Sequence, residues 1–270
     1  MTLAPEYADD LVTVYLADHA TLAAHLRETG VVCDALCVDA PYSDRVHTKQ
    51  RHGRREAQPL GGGLWATSRG IPYAGWAAED VADFCSAWVP IVRGWCVSIT
   101  DSELYPAWRD AFRDADRYVF APLPLVQIGM NVRLAGDGPS SWTTWAVVAR
   151  PAALHKWGTL RGAYVGNPFE DGENTASASR RSLWVGGKPV WLIRALVRDY
   201  SRPGDLIVDP CCGAGTLGVA VRYEGRRAIL ADKDPAAVET TIKRLRGERT
   251  KPTRDDFPQT EDQPSLFGKP

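Results

Sequence analysis

The sequence predicts an α/β fold in which a mostly parallel sheet is covered by helices on both faces. Short apolar strands alternate with helix-like stretches along most of the chain, which is typical of parallel strands joined by crossover helices. A glycine-containing turn at residues 208–216 follows one apolar strand and precedes a helix-like stretch. The segment 143–149 is nearly continuous in apolar residues, as expected of a strand covered on both faces.

The individual elements follow from these patterns. Apolar runs predict strands at residues 11–16, 35–38, 94–99, 118–122, 143–149, 206–208 and 228–231. Helical spacing, with proline at helix starts and glycine after helix ends, predicts helices at residues 20–27, 77–89, 102–115, 189–200 and 235–245. Two stretches, 42–72 and 160–187, lack either period and are predicted to be long loops.

Size and composition indicate one globular domain with appendages. The chain has 270 residues, of which 44% are hydrophobic and 24% charged. We predict a domain over residues 1–245, with variable loops at about 43–75 and 125–185, and a charged, proline-rich tail over residues 246–270 that is disordered.

The net charge of -1 means that any nucleic-acid contact needs a local basic surface. One stretch without acidic residues supplies such a surface, and its cationic side chains are Arg45, Lys49, Arg51, Arg54 and Arg55. A solvated loop is the alternative interpretation of the same stretch.

The six cysteines include no Cys-x-x-Cys pair, which argues against a zinc site and a disulfide framework. The chain opens without a signal-like segment, and no apolar run approaches the roughly 20 residues that cross a bilayer. We therefore expect a soluble protein of the reducing cytoplasm, with no metal and no membrane partner.

The glycine turn predicts a nucleotide-cofactor site. Gly213 and Gly215 allow backbone amides to approach a ligand at the positive end of the following helix. Asp232 ends the next strand about 20 residues later, where a carboxylate accepts hydrogen bonds from ribose hydroxyls. At this point NAD and S-adenosylmethionine both remain open, as does a purely structural turn.

A second motif distinguishes these cofactors. Asp39-Ala40-Pro41-Tyr42, at the end of a strand, resembles the Asp-Pro-Pro-Tyr motif of the amino-methylating DNA methyltransferases. Asp209-Pro-Cys-Cys-Gly-Ala-Gly-Thr216 resembles the Asp-Pro-Phe-x-Gly-Ser-Gly-Thr cofactor motif of that family. The resemblance covers about residues 10–245, and the catalytic motif precedes the cofactor motif, which is the order of the β group found in bacteria and phages.

This resemblance implies a Rossmann-like, S-adenosylmethionine-dependent methyltransferase fold, with DNA-recognition loops at the two variable regions. It implies that the Asp39 carboxylate and the Ala40 carbonyl accept the N–H groups of an exocyclic amine, while Tyr42 stacks on a base rotated out of the duplex. The implied cofactor residues are Asp209, Pro210, Cys211, Gly213, Gly215, Thr216 and Asp232, with Lys188 and Pro189 from a Lys-Pro segment before the cofactor strand.

The chain departs from the family pattern at two motif positions. Ala40 replaces a proline, which relaxes the local backbone, and Cys211 replaces an aromatic residue that contacts the cofactor. A catalytically weak DNA-binding relative is therefore an alternative to an active enzyme. An NAD-dependent oxidoreductase is disfavoured because it leaves the Asp39–Tyr42 motif without a role.

The substrate expected from the resemblance is double-stranded DNA. The initial Asp39 favours N6 of adenine over N4 of cytosine, although both enzyme types use aspartate at this position. Asn131, Arg133 and Arg180 are candidates for base-edge contacts. Trp65, Trp76 and Trp142 lie in or beside loops, where they face DNA or, alternatively, belong to the core.

The tail contains a short apolar motif, Gln263-Pro264-Ser265-Leu266-Phe267. It resembles the peptide with which bacterial replication proteins dock on the sliding clamp, burying the leucine and phenylalanine in a preformed pocket. An inert tail is the alternative.

Overall fold

A mixed β-sheet organises the part of the chain that can be described. The computed structural model describes residues 3–44, 59–60, 64–65, 74–128, 139, 141–166 and 187–248. Its strands are β1 (Tyr7–Ala8), β2 (Val12–Leu16), β3 (Ala35–Asp39), β4 (Pro59–Leu60), β5 (Leu64–Trp65), β6 (Cys96–Thr100), β7 (Arg117–Val119), β8 (Leu123–Gln127), β9 (Thr143–Pro151), β10 (Tyr164–Gly166), β11 (Leu206–Asp209) and β12 (Arg227–Asp232).

The helices connect these strands across the two faces of the sheet. They are α1 (His19–Glu28), α2 (Ala78–Trp88), α3 (Tyr105–Asp114), α4 (Val190–Tyr200), α5 (Thr216–Glu224) and α6 (Pro235–Leu245), with a 3₁₀ turn at Val89–Ile91. None of the helices in the described ranges combines the length and the apolar character that a membrane span needs.

The main sheet has the order β1-β2-β12-β11-β3-β6-β9-β8-β10, and β7 also pairs with β9. The strands β2, β12, β11, β3 and β6 are parallel to one another. Beyond β6 the pairing becomes antiparallel at β9, which β7 and β8 also join in antiparallel fashion. The predicted parallel sheet is thus confirmed for β2, β12, β11, β3 and β6, and the pairing beyond β6 is mixed.

Two apolar layers cover the sheet, one on each face. One layer contains buried residues of α4, α5 and α6, among them Leu192, Ala220 and Val238. The other contains buried residues of α1, α2 and α3, including Leu22, Phe84, Trp88 and Trp108. Because successive residues of a strand point to opposite faces, both layers draw on the same strands, which explains why β3 and β6 are buried along nearly their whole length.

Four of the described strands overlap predicted loops: β4 and β5 lie within residues 42–72, β10 lies within 160–187, and most of β8 lies in the variable region at about 125–185. In β8, Leu123, Leu125 and Gln127 are buried in alternation, but the proline at position 124 argues against a strand when only sequence is considered. The structure tolerates it because the pairing of β8 with β10 begins at Leu125, one residue later. The strand β10 spans three residues, too few for a recognisable period.

Candidate active site at the carboxyl ends of β3, β11 and β12

A crevice is expected between β11 and β3, because the chain leaves these two neighbouring strands in opposite directions. After β11 it passes through α5 to β12, and after β3 it passes through α2 to β6 on the other side. Ligands of open α/β sheets bind at such a switch point, outside the carboxyl ends of the strands. Asp39, Asp209 and Asp232 are the last residues of β3, β11 and β12, so three carboxylates lie at this edge.

Asp39 is bound by a lysine from a distant part of the chain. The Nζ atom of Lys188 donates to Oδ1 of Asp39 at 2.8 Å and to Oδ2 at 2.7 Å. The same Nζ atom lies 4.8 Å from the centre of the Tyr42 ring. The lysine side chain is 8% exposed and that of Asp39 is 23% exposed, so one side of the carboxylate remains open to a ligand.

Burial dominates the electrostatics of these acids. It raises the pKa of Asp39, and the ammonium of Lys188 acts in the opposite direction. Burial also raises the pKa of Asp209 well above its usual range, and the negative charges of Asp39 and Asp232 add to this effect. A cation bound at this edge would therefore relieve an unfavourable concentration of negative charge.

The Asp39–Tyr42 motif is fixed by an acid that the sequence analysis missed. Asp101, directly after β6, is 8% exposed. Its Oδ2 atom accepts hydrogen bonds from the backbone N–H of Ser43 at 2.9 Å and from the Ser43 hydroxyl at 2.6 Å. Its Oδ1 atom accepts from the N–H groups of Glu103 and Leu104, at the start of the turn that leads into α3. The sequence signal that could have indicated Asp101 is an acidic residue at the end of a buried strand, and Asp39 and Asp209 show the same signal.

We expect Asp101→Ala to lower the free energy of unfolding by about 3 kcal/mol, because several buried donors lose a charged acceptor. The Asp39–Tyr42 motif should also lose its fixed position, since Ser43 directly follows the motif. Urea unfolding measures the first effect. Asp110→Ala is the control, because this carboxylate is 55% exposed, and it should change stability by less than about 0.5 kcal/mol. An unchanged unfolding midpoint in Asp101→Ala would show that Asp101 does not anchor the motif.

Hydrogen bonds to other parts of the protein fix the conformation of the glycine turn. Gly213 and Gly215 have φ angles of 52° and 71°, in the left-handed region. The N–H of Gly213 donates to Oδ2 of Asp232 at 2.9 Å, and the hydroxyl of Thr241 donates to the carbonyl of Gly213 at 2.8 Å. A Cβ atom added to Gly215 would lie 2.5 Å from Cγ2 of Thr241. Packing on α6 and the φ angle thus require glycine at position 215, and the predicted approach of a ligand to this turn stays a prediction.

The remaining predicted cofactor residues lie in or next to this turn, except for the Lys-Pro pair. The N–H of Cys211 donates to Oδ1 of Asp209 at 3.1 Å, and Pro210 lies between them. Thr216 begins α5, and its hydroxyl accepts a hydrogen bond from Arg244 at 3.1 Å. Pro189 precedes the first residue of α4. Lys188 was predicted to contact the cofactor, whereas in the structure its amino group lies against the Asp39–Tyr42 motif.

Several predictions fall outside the described residues. These are the basic residues at 45–55, the base-contact candidates Asn131, Arg133 and Arg180, the side chain of Trp65 and the motif at 263–267. Trp76 packs against Phe84 and Trp108, so it belongs to the aromatic core. Trp142 is 42% exposed next to the start of β9. No cluster of metal-ligating side chains occurs among the residues described.

Comparison with solved structures identifies the fold. The structure of M1.HpyAVI with S-adenosylmethionine matches with a TM-score of 0.64 and 16% identity, over 87% of this chain and 99% of that chain. The cytosine-N4-specific PvuII DNA methyltransferase matches with a TM-score of 0.58 and 12% identity, over 90% of this chain and 89% of that chain. The fold is that of the S-adenosylmethionine-dependent DNA methyltransferases.

Sequence comparison finds similarity over part of the chain. Residues 145–243 match the family profile of the N6/N4 methyltransferases, described as DNA methylase. The chain is 32% identical over 92 residues to the type II methyltransferase M.Cfr9I of Citrobacter freundii, covering 30% of this chain and 31% of that protein. It is 36% identical over 69 residues to M2.DpnII of Streptococcus pneumoniae, covering 24% and 26%. The matched stretches thus span about a third or less of these relatives. Over these stretches the chain is similar to the amino-methylating, N6/N4 DNA methylases.

Proposed function

We propose that the protein transfers a methyl group from S-adenosylmethionine to the exocyclic amine of a base in duplex DNA, with N6 of adenine as the favoured target. The observation that supports this most is that Asp39 and the glycine turn, separated by about 170 residues in sequence, end neighbouring strands at one switch point. The motif for the amine and the motif for the cofactor therefore lie at the same crevice.

The residues present fit this cofactor. The edge offers carboxylate oxygens of Asp39, Asp209 and Asp232, and acceptors of this kind suit ribose hydroxyls and a positively charged sulfonium and ammonium. Asp232 would accept hydrogen bonds from the ribose hydroxyls, and the 213–216 turn would border the methionine part of the cofactor. When bound, S-adenosylmethionine supplies an electrophilic methyl group.

The chain's own residues would prepare the amine. The lone pair of an exocyclic amine is delocalised into the ring, so its nitrogen is a poor nucleophile. The Asp39 carboxylate and the Ala40 carbonyl would accept its two N–H groups and hold the nitrogen where it can become tetrahedral. Tyr42 would stack on the rotated base, offsetting the few kcal/mol lost on leaving the duplex. The amine nitrogen would form the new N–C bond as the C–S bond breaks with its electrons on sulfur, and it would then release one proton to solvent.

Cytosine N4 is the alternative target, because one structural neighbour is specific for it at 12% identity. Incubating the protein with tritiated S-adenosylmethionine and duplex DNA, followed by mass spectrometry of the nucleosides, distinguishes the two products. Labelled N6-methyladenine would support adenine as the target base. Labelled N4-methylcytosine would show instead that the target base is cytosine. A protein that binds the cofactor but labels no DNA would instead be a catalytically weak relative.

Phosphate contacts are proposed for the basic residues Arg45, Lys49, Arg51, Arg54 and Arg55, which follow the Asp39–Tyr42 motif closely in sequence. Neutralising them together should weaken binding to all duplexes and reduce its salt dependence.

We also propose that Gln263, Leu266 and Phe267 dock on the bacterial sliding clamp. In a pull-down, immobilised clamp should retain the full chain but not a version ending at Asp262. A full-length Leu266→Ala/Phe267→Ala variant controls for the loss of the tail as a whole. Equal retention of all three proteins would contradict the proposal.

A further inference from the structure

Lys188 and Asp39 form an ion pair at the position where the target amine is expected. Both carboxylate oxygens of Asp39 accept from the lysine Nζ atom, at 2.8 and 2.7 Å, and this atom also lies over the Tyr42 ring. The amine of a rotated base would need the same acceptor and the same aromatic ring. The lysine therefore lies among the groups that would contact the base.

The contact between Lys188 and Asp39 depends on how the start of α4 packs in the protein. It is two residues before the first residue of α4, whose buried residues Val190, Leu192 and Ile193 fix the helix in the core. The lysine stem is long and flexible, and here it extends from α4 to the end of β3. Only 8% of the side chain is exposed, so the ammonium is held inside the protein beside Asp39.

Burial and the nearby carboxylate of Asp209 oppose the negative charge of Asp39, and the thiols of Cys37 and Cys211 lie close to it. The ammonium of Lys188 and a hydrogen bond from the Tyr42 hydroxyl favour that charge. A protonated Asp39 would lose acceptor capacity for the amine. Because a carboxylate has about four lone-pair sites, the lysine can keep its contacts while an N–H of the base binds.

We propose that Lys188 is a positioning residue of the methyl-transfer site, which keeps the Asp39 carboxylate charged and turned toward the amine of the target base. This inference rests on the proposed function and goes beyond the cofactor contact expected for the Lys-Pro segment. It assigns the lysine to the substrate amine through Asp39, and it leaves cofactor binding to the glycine turn and Asp232.

The test compares Lys188→Met, which keeps the length of the side chain without its charge, with Lys188→Arg. We expect Lys188→Met to lower kcat at pH 7 by about 10²-fold while the Kd for S-adenosylmethionine changes less than about threefold. Because the carboxylate is the active form and its pKa rises without the cation, the acid limb of the kcat profile should move up by about one pH unit or more. Lys188→Arg should retain the wild-type limb.

Lys243→Met, which removes a lysine from the surface of α6, is the matched control and should leave the profile unchanged. An unmoved acid limb in Lys188→Met, or a loss of cofactor affinity in proportion to kcat, would overturn the proposal.

A second measurement does not depend on activity. Carboxyl carbon NMR, with the Asp39 signal assigned by its absence in Asp39→Asn, should show Asp39 titrating at higher pH in Lys188→Met than in the wild type. An equal titration in both proteins would overturn the role of Lys188. If the wild-type protein transfers no methyl group, the proposed function fails, while the NMR comparison still decides whether Lys188 controls Asp39.

Discussion

Replacing Asp39 by alanine is expected to reduce methyl transfer by at least about 10²–10³-fold, the range found when one catalytic hydrogen-bonding group is removed from a preorganised site. The reason is that the amine loses the acceptor that holds its nitrogen, and Lys188 loses its partner. Affinity for S-adenosylmethionine should be nearly unchanged, since the glycine turn is built by contacts among Gly213, Asp232 and Thr241. Tritiated methyl transfer and calorimetric titration of the cofactor measure the two effects.

Asp232→Ala is the matched comparison, because Asp232 ends another parallel strand at the same edge. Its oxygens accept from the N–H groups of Gly213 and Asp234, and it is the proposed ribose acceptor. We expect the Kd for the cofactor to rise by about 10–100-fold, as loss of one or two hydrogen bonds to a charged group predicts. At saturating cofactor, kcat should be much less affected than in Asp39→Ala. If both variants lose cofactor binding equally, the separation of roles is wrong.

Gly215→Ala is expected to destabilise the protein by about 2–5 kcal/mol, from about 1–2 for a left-handed φ and about 1–3 for overpacking. The φ angle is 71°, and the added Cβ atom would lie 2.5 Å from Cγ2 and 2.8 Å from Oγ1 of Thr241. Because this turn lies between β11 and α5, cofactor binding should weaken as well. Urea unfolding and cofactor titration measure the changes.

Gly225→Ala distinguishes the cost of the left-handed φ angle from the cost of overpacking. Gly225 has a φ angle of 66° but open space around its Cβ position, so its substitution should cost the backbone term alone, about 1–2 kcal/mol. In a Thr241→Ala background, Gly215→Ala should then cost as little as Gly225→Ala does in the wild type. If removing the threonine gives no relief, the contact with α6 is not the reason for glycine at position 215.

Local sequence patterns were sufficient to predict most of the helices and the central strands. The end of β3 at Asp39 and the α6 bounds at Pro235 and Leu245 agree with the structure because an apolar run and a proline mark them directly. The strands β8 and β10 were missed, since one contains a proline and the other spans three residues. Their existence depends on pairing with β9 and with each other, which sequence periodicity does not report.

Some residues of the candidate site were predicted from local sequence patterns, and others were found only in the structure. Asp39, Tyr42, Gly213, Gly215 and Asp232 were predicted because their neighbours in sequence form recognisable motifs. The contact of Lys188 with Asp39 and the role of Asp101 under Ser43 were not predicted. These contacts join residues 149 and 58 positions apart, so no local pattern records them.

The sequence by itself determined the α/β class, the order of catalytic and cofactor motifs and the residues at the ends of β3, β11 and β12. These properties depend on short-range spacing of apolar, glycine and acidic residues, which is written along the chain. Only the tertiary structure decided that Lys188 binds Asp39, that Asp101 anchors the motif and that Thr241 requires glycine at position 215. Those outcomes depend on which strands become neighbours and on how α4 and α6 pack, because charge pairing and steric exclusion act through space.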